Sequence, residues 1–138
     1  MTQATCTLAA GHTYKVDISA GAFTVIADQD KSVGGTSLGP TPKELLLAAI
    51  GSCTVQTLMM VAKSRNWDIQ TLSVKVTYSE VADPNDATKK IPLIEELIEA
   101  SGNLSAADLT AMERTAGRCP VLKLVEGPKL VNKKAVKV

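Results

Sequence analysis

The sequence predicts an α+β protein in which one long, almost uncharged helix is buried against antiparallel strands. Three observations predict it. Residues 13–27 alternate as a half-buried hairpin does, residues 41–64 form a capped apolar run, and residues 67–80 return to strand-forming side chains. The 138 residues suit a single domain spanning 1–138. With 45% hydrophobic and 21% charged residues, the chain has enough apolar content to exclude a disordered polymer. Tyr14, Phe23, Trp67 and Tyr78 are its only aromatic residues, so the core falls to Leu, Ile, Val, Met and Ala. A net charge of +1 supplies no general attraction to nucleic acid or to an anionic membrane.

In the N-terminal hairpin, Tyr14, Val16 and Ile18 fall on one face, and Lys15 and Asp17 on the other. Ala20-Gly21 is the expected turn, with residues 22–27 as the returning strand. Gly34-Gly35 and Gly39-Pro40 mark residues 28–40 as a loop. The first residues, Met1 to Cys6, contain neither a basic nor an apolar leader segment, so the expected location is the cytoplasm.

Thr41-Pro42-Lys43-Glu44 is a helix start. Thr41 can cap, Pro42 suits the first helical position, and Glu44 at the third completes a capping box. The helix is expected to run to about Lys63 or Ser64. No charge lies between Glu44 and Lys63, a length that could cross a bilayer. Ser52, Thr54, Gln56 and Thr57 make poor lipid neighbours, and no anchoring residues frame both ends, so no membrane partner is expected. A helix apolar nearly all round must then be buried in protein, and a domain this small has trouble surrounding it alone. A second copy of the chain is the natural cover.

Residues 67–80 read as a strand through Ile69, Leu72, Val74, Val76 and Tyr78. Asp83-Pro84-Asn85-Asp86 is a turn. Lys90 to Ala100 is ambiguous: Ile91, Ile94, Leu97 and Ile98 match helical spacing, yet an extended run is equally consistent. Ser105 to Asp108 opens another helix reaching about Gly117. From Leu130 the tail alternates apolar and basic residues as an edge strand would.

The chemistry-bearing residues are few. Cys53 lies inside the long helix among apolar neighbours, which suits either a core thiol or a reactive one. Cys119 precedes Pro120, so it can sit at a helix N-terminus where the dipole and Arg118 favour thiolate, or simply occupy a cap. Cys6 is read as incidental, and His12 as a solvated loop residue. Three cysteines argue against a purely structural disulfide framework. Cys6, His12, Cys53 and Cys119 lack the short spacing of a zinc site, so no metal is expected. Arg118 onward carries six basic residues against Glu126 alone. Without interleaved aromatics this suits a Lys-protected edge, not a nucleic-acid surface.

Taken in order, Gly34-Gly35-Thr36, Gly39 to Ala48, Gly51-Ser52-Cys53-Thr54, Arg118-Cys119-Pro120-Val121 and Glu126-Gly127 resemble the OsmC/Ohr family of thiol-dependent hydroperoxide reductases, in its shorter OsmC-like form. The resemblance covers nearly the whole chain. It implies an intertwined homodimer with the long helix at its centre, and it resolves Lys90 to Ala100 toward a strand. It implies Cys53 as peroxidatic thiol, Cys119 as resolving thiol, and Glu44 as supporting residue. The implied substrate is an organic hydroperoxide, held by an apolar pocket of Leu46, Ile50, Met59 and Met60. An external dithiol such as a protein-bound lipoyl group would regenerate the thiols, with no bound cofactor.

One departure stands out. The family's activating Arg comes from the N-terminal region, held by a Glu ten residues before the reactive Cys. Here that place holds Lys43, and no Arg precedes Arg65. Activation would fall to Lys15, Lys43, His12 or Arg118. The rival reading is a non-catalytic dimeric module that binds a small ligand in the same groove, or responds to oxidation without turnover. A redox pair requires Cys53 and Cys119 within bridging reach; a binding module does not.

Overall fold

The computed structural model describes residues 1–137. Its internal contacts divide into two units, residues 1–48 and 49–138, and the long helix runs from one into the other.

The first unit is built on an antiparallel meander, β1 (Ala4–Leu8), β2 (Val16–Ala20) and β3 (Phe23–Ala27). Leu8 pairs with Val16, and Ala20 with Phe23. Gly21, at φ 61°, takes the left-handed conformation that the tight β2–β3 turn requires. The hairpin is therefore present, starting at Val16 and not at Thr13. β1 is an addition to the sequence reading. It is exposed along its whole length, so no alternation marks it, and it is a strand because β2 offers a ladder.

The loop after β3 closes on Asp28, which is only 2% exposed. Its carboxylate accepts the backbone N–H groups of Gln29 (2.8 Å), Thr36 (3.2 Å) and Leu38 (3.2 Å), and the Thr36 hydroxyl. Gly35 comes so near the Gln29 carbonyl that a Cβ could not be accommodated there. The loop delivers Thr41 to the start of α1 (Pro42–Arg65). There the Thr41 N–H and hydroxyl donate to Glu44 at 2.7 and 2.8 Å, and the Glu44 N–H donates to the Thr41 hydroxyl at 3.3 Å. The capping box expected from the sequence is thus formed.

The second unit contains the rest of α1, the long hairpin β4 (Asp68–Asp83) and β5 (Asp86–Asn103), α2 (Ala106–Ala116) and α3 (Pro120–Glu126). Leu72, Val74, Val76 and Tyr78 of β4 turn inward with Ile94, Glu96, Ile98 and Ala100 of β5. Gly51 of α1 packs on this face; a Cβ there would lie 3.0 Å from Val76 Cγ2. α2 is closed by a second capping box, Ser105 with Asp108.

Lys90 to Ala100 is strand, as the resemblance implied and as helical spacing did not. Leu97 and Ile91, which completed the helical pattern, are exposed at 57% and 36%. One further expectation is corrected, that of a strand in the tail. The long helix is buried within the single chain on one face only, by Ile50, Gly51, Thr54, Leu58 and Ala62, as expected of a domain too small to surround it alone. Ala49, Ser52, Gln56, Met59, Met60 and Lys63 are exposed. By length and composition alone the helix could cross a membrane; one face of it is instead committed to protein. The tail from Leu130 forms no strand among the described residues, because an edge strand exists only where a neighbour completes its ladder. Val138 lies outside the described residues.

Candidate functional site

Cys53 and Cys119 are brought together. Cys53 sits in the fourth turn of α1, half-buried, while Cys119 is fully buried. Cys119 is the N-cap of α3, its sulfur accepting the Leu122 N–H at 3.4 Å, with Pro120 at the first helical position. Its thiol also points at the Ile50 carbonyl, 4.0 Å away. The two thiols hydrogen-bond to each other, and the Val121 N–H at the start of α3 serves both sulfurs. Cys6 is exposed on β1.

The pair is electrically unequal. Burial pushes the Cys53 thiol up, and its hydrogen bond to Cys119 pushes it further; the Val121 N–H and the Thr57 hydroxyl only partly offset this. Burial also acts upward on Cys119, but the Cys53 thiol, the Leu122 N–H, the Thr54 hydroxyl and the Val121 N–H outweigh it and hold Cys119 below the usual thiol value. When one thiol of the pair ionises, the charge is therefore favoured on Cys119 and the remaining proton on Cys53. Helix N-termini favour anions for the same reason.

The other residues singled out from the sequence are placed as follows. Glu44 is exposed, and its carboxylate is held by the Thr41 N–H and hydroxyl, which also lower its pKa. Leu46 and Met60 are exposed at 44% and 74%. Met59, 46% exposed, lines an open cavity of about 520 Å³ with Ala62, Lys63, Asn66, Trp67 and Ile69. Ile50 is fully buried. Among the cations, Lys15 pairs with Asp17 at 3.1 Å, and Arg118 is exposed. The dominant influences on Cys53 raise its pKa, the reverse of the activation expected from a neighbouring cation. No cluster of three or more metal-ligating side chains is present among the described residues.

Two residues near the sulfurs were missed in the sequence. Thr54 is fully buried and donates its hydroxyl to Glu96 at 2.6 Å. Glu96 lies opposite Val76 on the inward face of β5, the one charged residue among Ile94, Ile98 and Ala100. Strand alternation anchored on Ile94 and Ile98 would have pointed Glu96 inward and marked it.

Paired thiols shared between a long apolar helix and the cap of a short one, over an antiparallel hairpin, define a thiol-bearing α+β protein. Residues 34–132 match the model of the OsmC-like protein family, and the chain belongs to that family. Solved structures agree on the fold. An OsmC-like protein from Mycoplasma pneumoniae superposes with a TM-score of 0.74 at 19% identity, covering 92% of this chain and 88% of that one. An osmotic stress induced and detoxification response protein from Psychrobacter arcticus gives 0.71 at 22% identity, with 90% and 88% covered. An organic hydroperoxide resistance protein from Legionella pneumophila gives 0.66 at 19% identity, with 92% and 90% covered. Among proteins of curated function, none matches the chain by sequence.

Proposed function

We propose that the protein reduces organic hydroperoxides with Cys53 and Cys119 as a redox pair, in defence against oxidative stress. The observation that carries this reading is the direct hydrogen bond between a half-exposed thiol and a buried one at a helix N-terminus. Structural relatives named as organic hydroperoxide resistance proteins, from Legionella pneumophila and Bacillus subtilis, support the substrate class.

Of the pair, only Cys53 presents surface to a peroxide, so it is the attacking sulfur. Cys119 thiolate takes the Cys53 proton as Cys53 bonds to the distal peroxide oxygen. The O–O bond breaks, and the leaving alkoxide takes that proton from Cys119 to become an alcohol. Cys53 is now a sulfenic acid. Cys119 thiolate then bonds to the Cys53 sulfur, and the expelled hydroxide takes a proton from solvent and leaves as water. The net change is one hydroperoxide and one proton consumed, one alcohol, one water and one disulfide formed. An external dithiol of the lipoyl type returns both thiols by exchange. Here Cys119 supplies the basic group that the family Arg would otherwise support.

The exposed face of α1 around Met59 and Met60 supports a homodimer, since an apolar surface of that kind is covered in a stable protein. Met59 and Met60 then become walls of an apolar substrate site. The cytoplasm, which keeps thiols reduced, is the compartment that suits such a pair.

A titration of fully reduced protein with cumene hydroperoxide, read by mass spectrometry, tests the reading. A stoichiometric Cys53–Cys119 disulfide, absent in Cys53→Ser, is the expected result. Thiols that persist in excess peroxide would overturn it. The raised Cys53 thiol favours a second reading, a dimeric binding or redox-sensing module. Slow disulfide formation without catalytic turnover in the presence of a dithiol would place the protein there.

A further inference from the structure

Cys119 is tethered through its nitrogen, its oxygen and its sulfur. Its N–H donates to the Ala116 carbonyl at 3.0 Å, and its carbonyl accepts the Lys123 N–H at 3.0 Å. Its sulfur accepts the Leu122 N–H at 3.4 Å and lies 4.0 Å from the Ile50 carbonyl, and the residue is fully buried. Ile50 precedes Cys53 by one helical turn, so that distance sets the Cys119 sulfur against the Cys53 turn of α1. Cys53 is fixed by the backbone of the helix, yet it keeps part of its surface.

A disulfide between the two inherits this asymmetry. In thiol–disulfide exchange a thiolate must reach one sulfur while the other leaves as a thiolate. Access and the stability of the leaving thiolate decide which sulfur plays which part. Here both point the same way. A thiol approaching Cys119 would have to displace α3 or the turn before it, whose backbone bonds hold that residue. Cys53 needs no such opening. The charge released by exchange is better received at Cys119, where the Leu122 N–H already points at the sulfur. The surroundings of Cys53 act the other way: burial raises its thiol, whereas Cys119 is held low.

We propose that the external reductant attacks the Cys53 sulfur of the disulfide and that Cys119 is the leaving group. This rests on the reading of Cys53 and Cys119 as a redox pair and adds the direction in which the pair is reset. A thiol of the reductant first gives its proton to solvent. Its thiolate forms an S–S bond to Cys53 as the Cys53–Cys119 bond breaks, and the electron pair of that bond stays on Cys119. The products are a mixed disulfide on Cys53 and a Cys119 thiolate facing the Leu122 N–H. The second thiol of a dithiol then loses its proton and bonds to its own partner sulfur, expelling Cys53, which takes up a proton. One dithiol becomes a cyclic disulfide, and both cysteines are reduced. The same sulfur thus meets the hydroperoxide and the reductant in turn, and Cys119 never has to be reached from solvent.

The test is made on the Cys6→Ser protein, oxidised with diamide so that no peroxidase activity is needed. Intact mass establishes the Cys53–Cys119 disulfide before any thiol is added. Reduced glutathione is then mixed in, and samples are quenched in acid over a time course. Free thiols are capped with N-ethylmaleimide in denaturant, and the peptides are mapped by mass spectrometry. Extrapolated to zero time, glutathione is expected on Cys53 and N-ethylmaleimide on Cys119, with the opposite arrangement about tenfold rarer or more. Later transfer of glutathione between the sulfurs changes the ratio with time and leaves that intercept untouched. Glutathione found first on Cys119, or equally on both, overturns the proposal alone. An oxidised protein without the Cys53–Cys119 disulfide overturns the redox-pair reading and the proposal with it.

Discussion

The Cys119 sulfur accepts the Leu122 N–H at 3.4 Å, so the residue that carries half of the thiol pair also caps the helix behind it. Chemistry and local stability are therefore joined at one atom. Cys119→Ala leaves that N–H without its acceptor and opens a small void in a fully buried place. We expect it to cost about 1–2 kcal/mol in urea unfolding of the reduced protein, and Cys119→Ser, which keeps an acceptor, to cost less.

The same pairing predicts how Cys53 titrates. Cys119 raises the Cys53 thiol both as a hydrogen-bond partner and through its charge. In Cys119→Ser the charge is gone, so the midpoint for Cys53 alkylation by iodoacetamide should move to lower pH. A midpoint that stays in place would mean burial alone sets it.

Asp28 gives a stability signature in acid. The Thr36 hydroxyl lowers its pKa most; burial acts upward, and the Leu38, Gln29 and Thr36 N–H groups complete a net fall to about 2. Because the folded value lies below that of the unfolded chain, the contribution is complete above about pH 4 and is lost as pH falls through about 2. Thermal unfolding between pH 5 and 2 should show this loss in the wild type. Asp28→Ala should lower Tm on the order of 5–10 °C at neutral pH and flatten the acid dependence.

Gly51 and Val76 form a tight contact, since an added Cβ would lie 3.0 Å from Val76 Cγ2. Alanine favours a helix interior over glycine by about 1 kcal/mol, but here Val76 must yield to admit it. Gly51→Ala should therefore be more favourable in a Val76→Ala background than in wild type, a coupling that a double-mutant cycle would read directly.

Leu58 and Met60 separate the two faces of α1. Leu58 is fully buried, and Leu58→Ala should cost about 2–5 kcal/mol. Met60 is 74% exposed, so Met60→Asp should leave the single chain's fold intact. If the open face is the proposed dimer surface, Met60→Asp shifts sedimentation equilibrium toward the monomer; an unchanged mass would place the dimer contact elsewhere.

Much of this molecule was legible in the chain, for reasons that are local. Thr41 and Glu44, or Ser105 and Asp108, lie three residues apart, and their capping boxes follow from that spacing. The β4–β5 turn is announced by Asp83-Pro84-Asn85-Asp86, and Pro120 announces α3 with Cys119 at its head. β1 was not legible, because an exposed strand has no alternation to read, and β5 was misleading, because exposed Ile91 and Leu97 imitate a helical stripe.

The sequence by itself determined where α1, α2 and α3 start, which residues bear sulfur, and the family to which those motifs belong. It also determined that α1 is too apolar to stand alone. Tertiary structure decided the rest. Ile50 and Cys119 meet across 69 residues, and Thr54 and Glu96 across 42. Such contacts depend on how a hairpin packs against a helix, which no short-range spacing encodes. That packing buries Cys119 at a helix N-terminus, leaves Cys53 half-exposed, and so gives two chemically identical side chains opposite shifts.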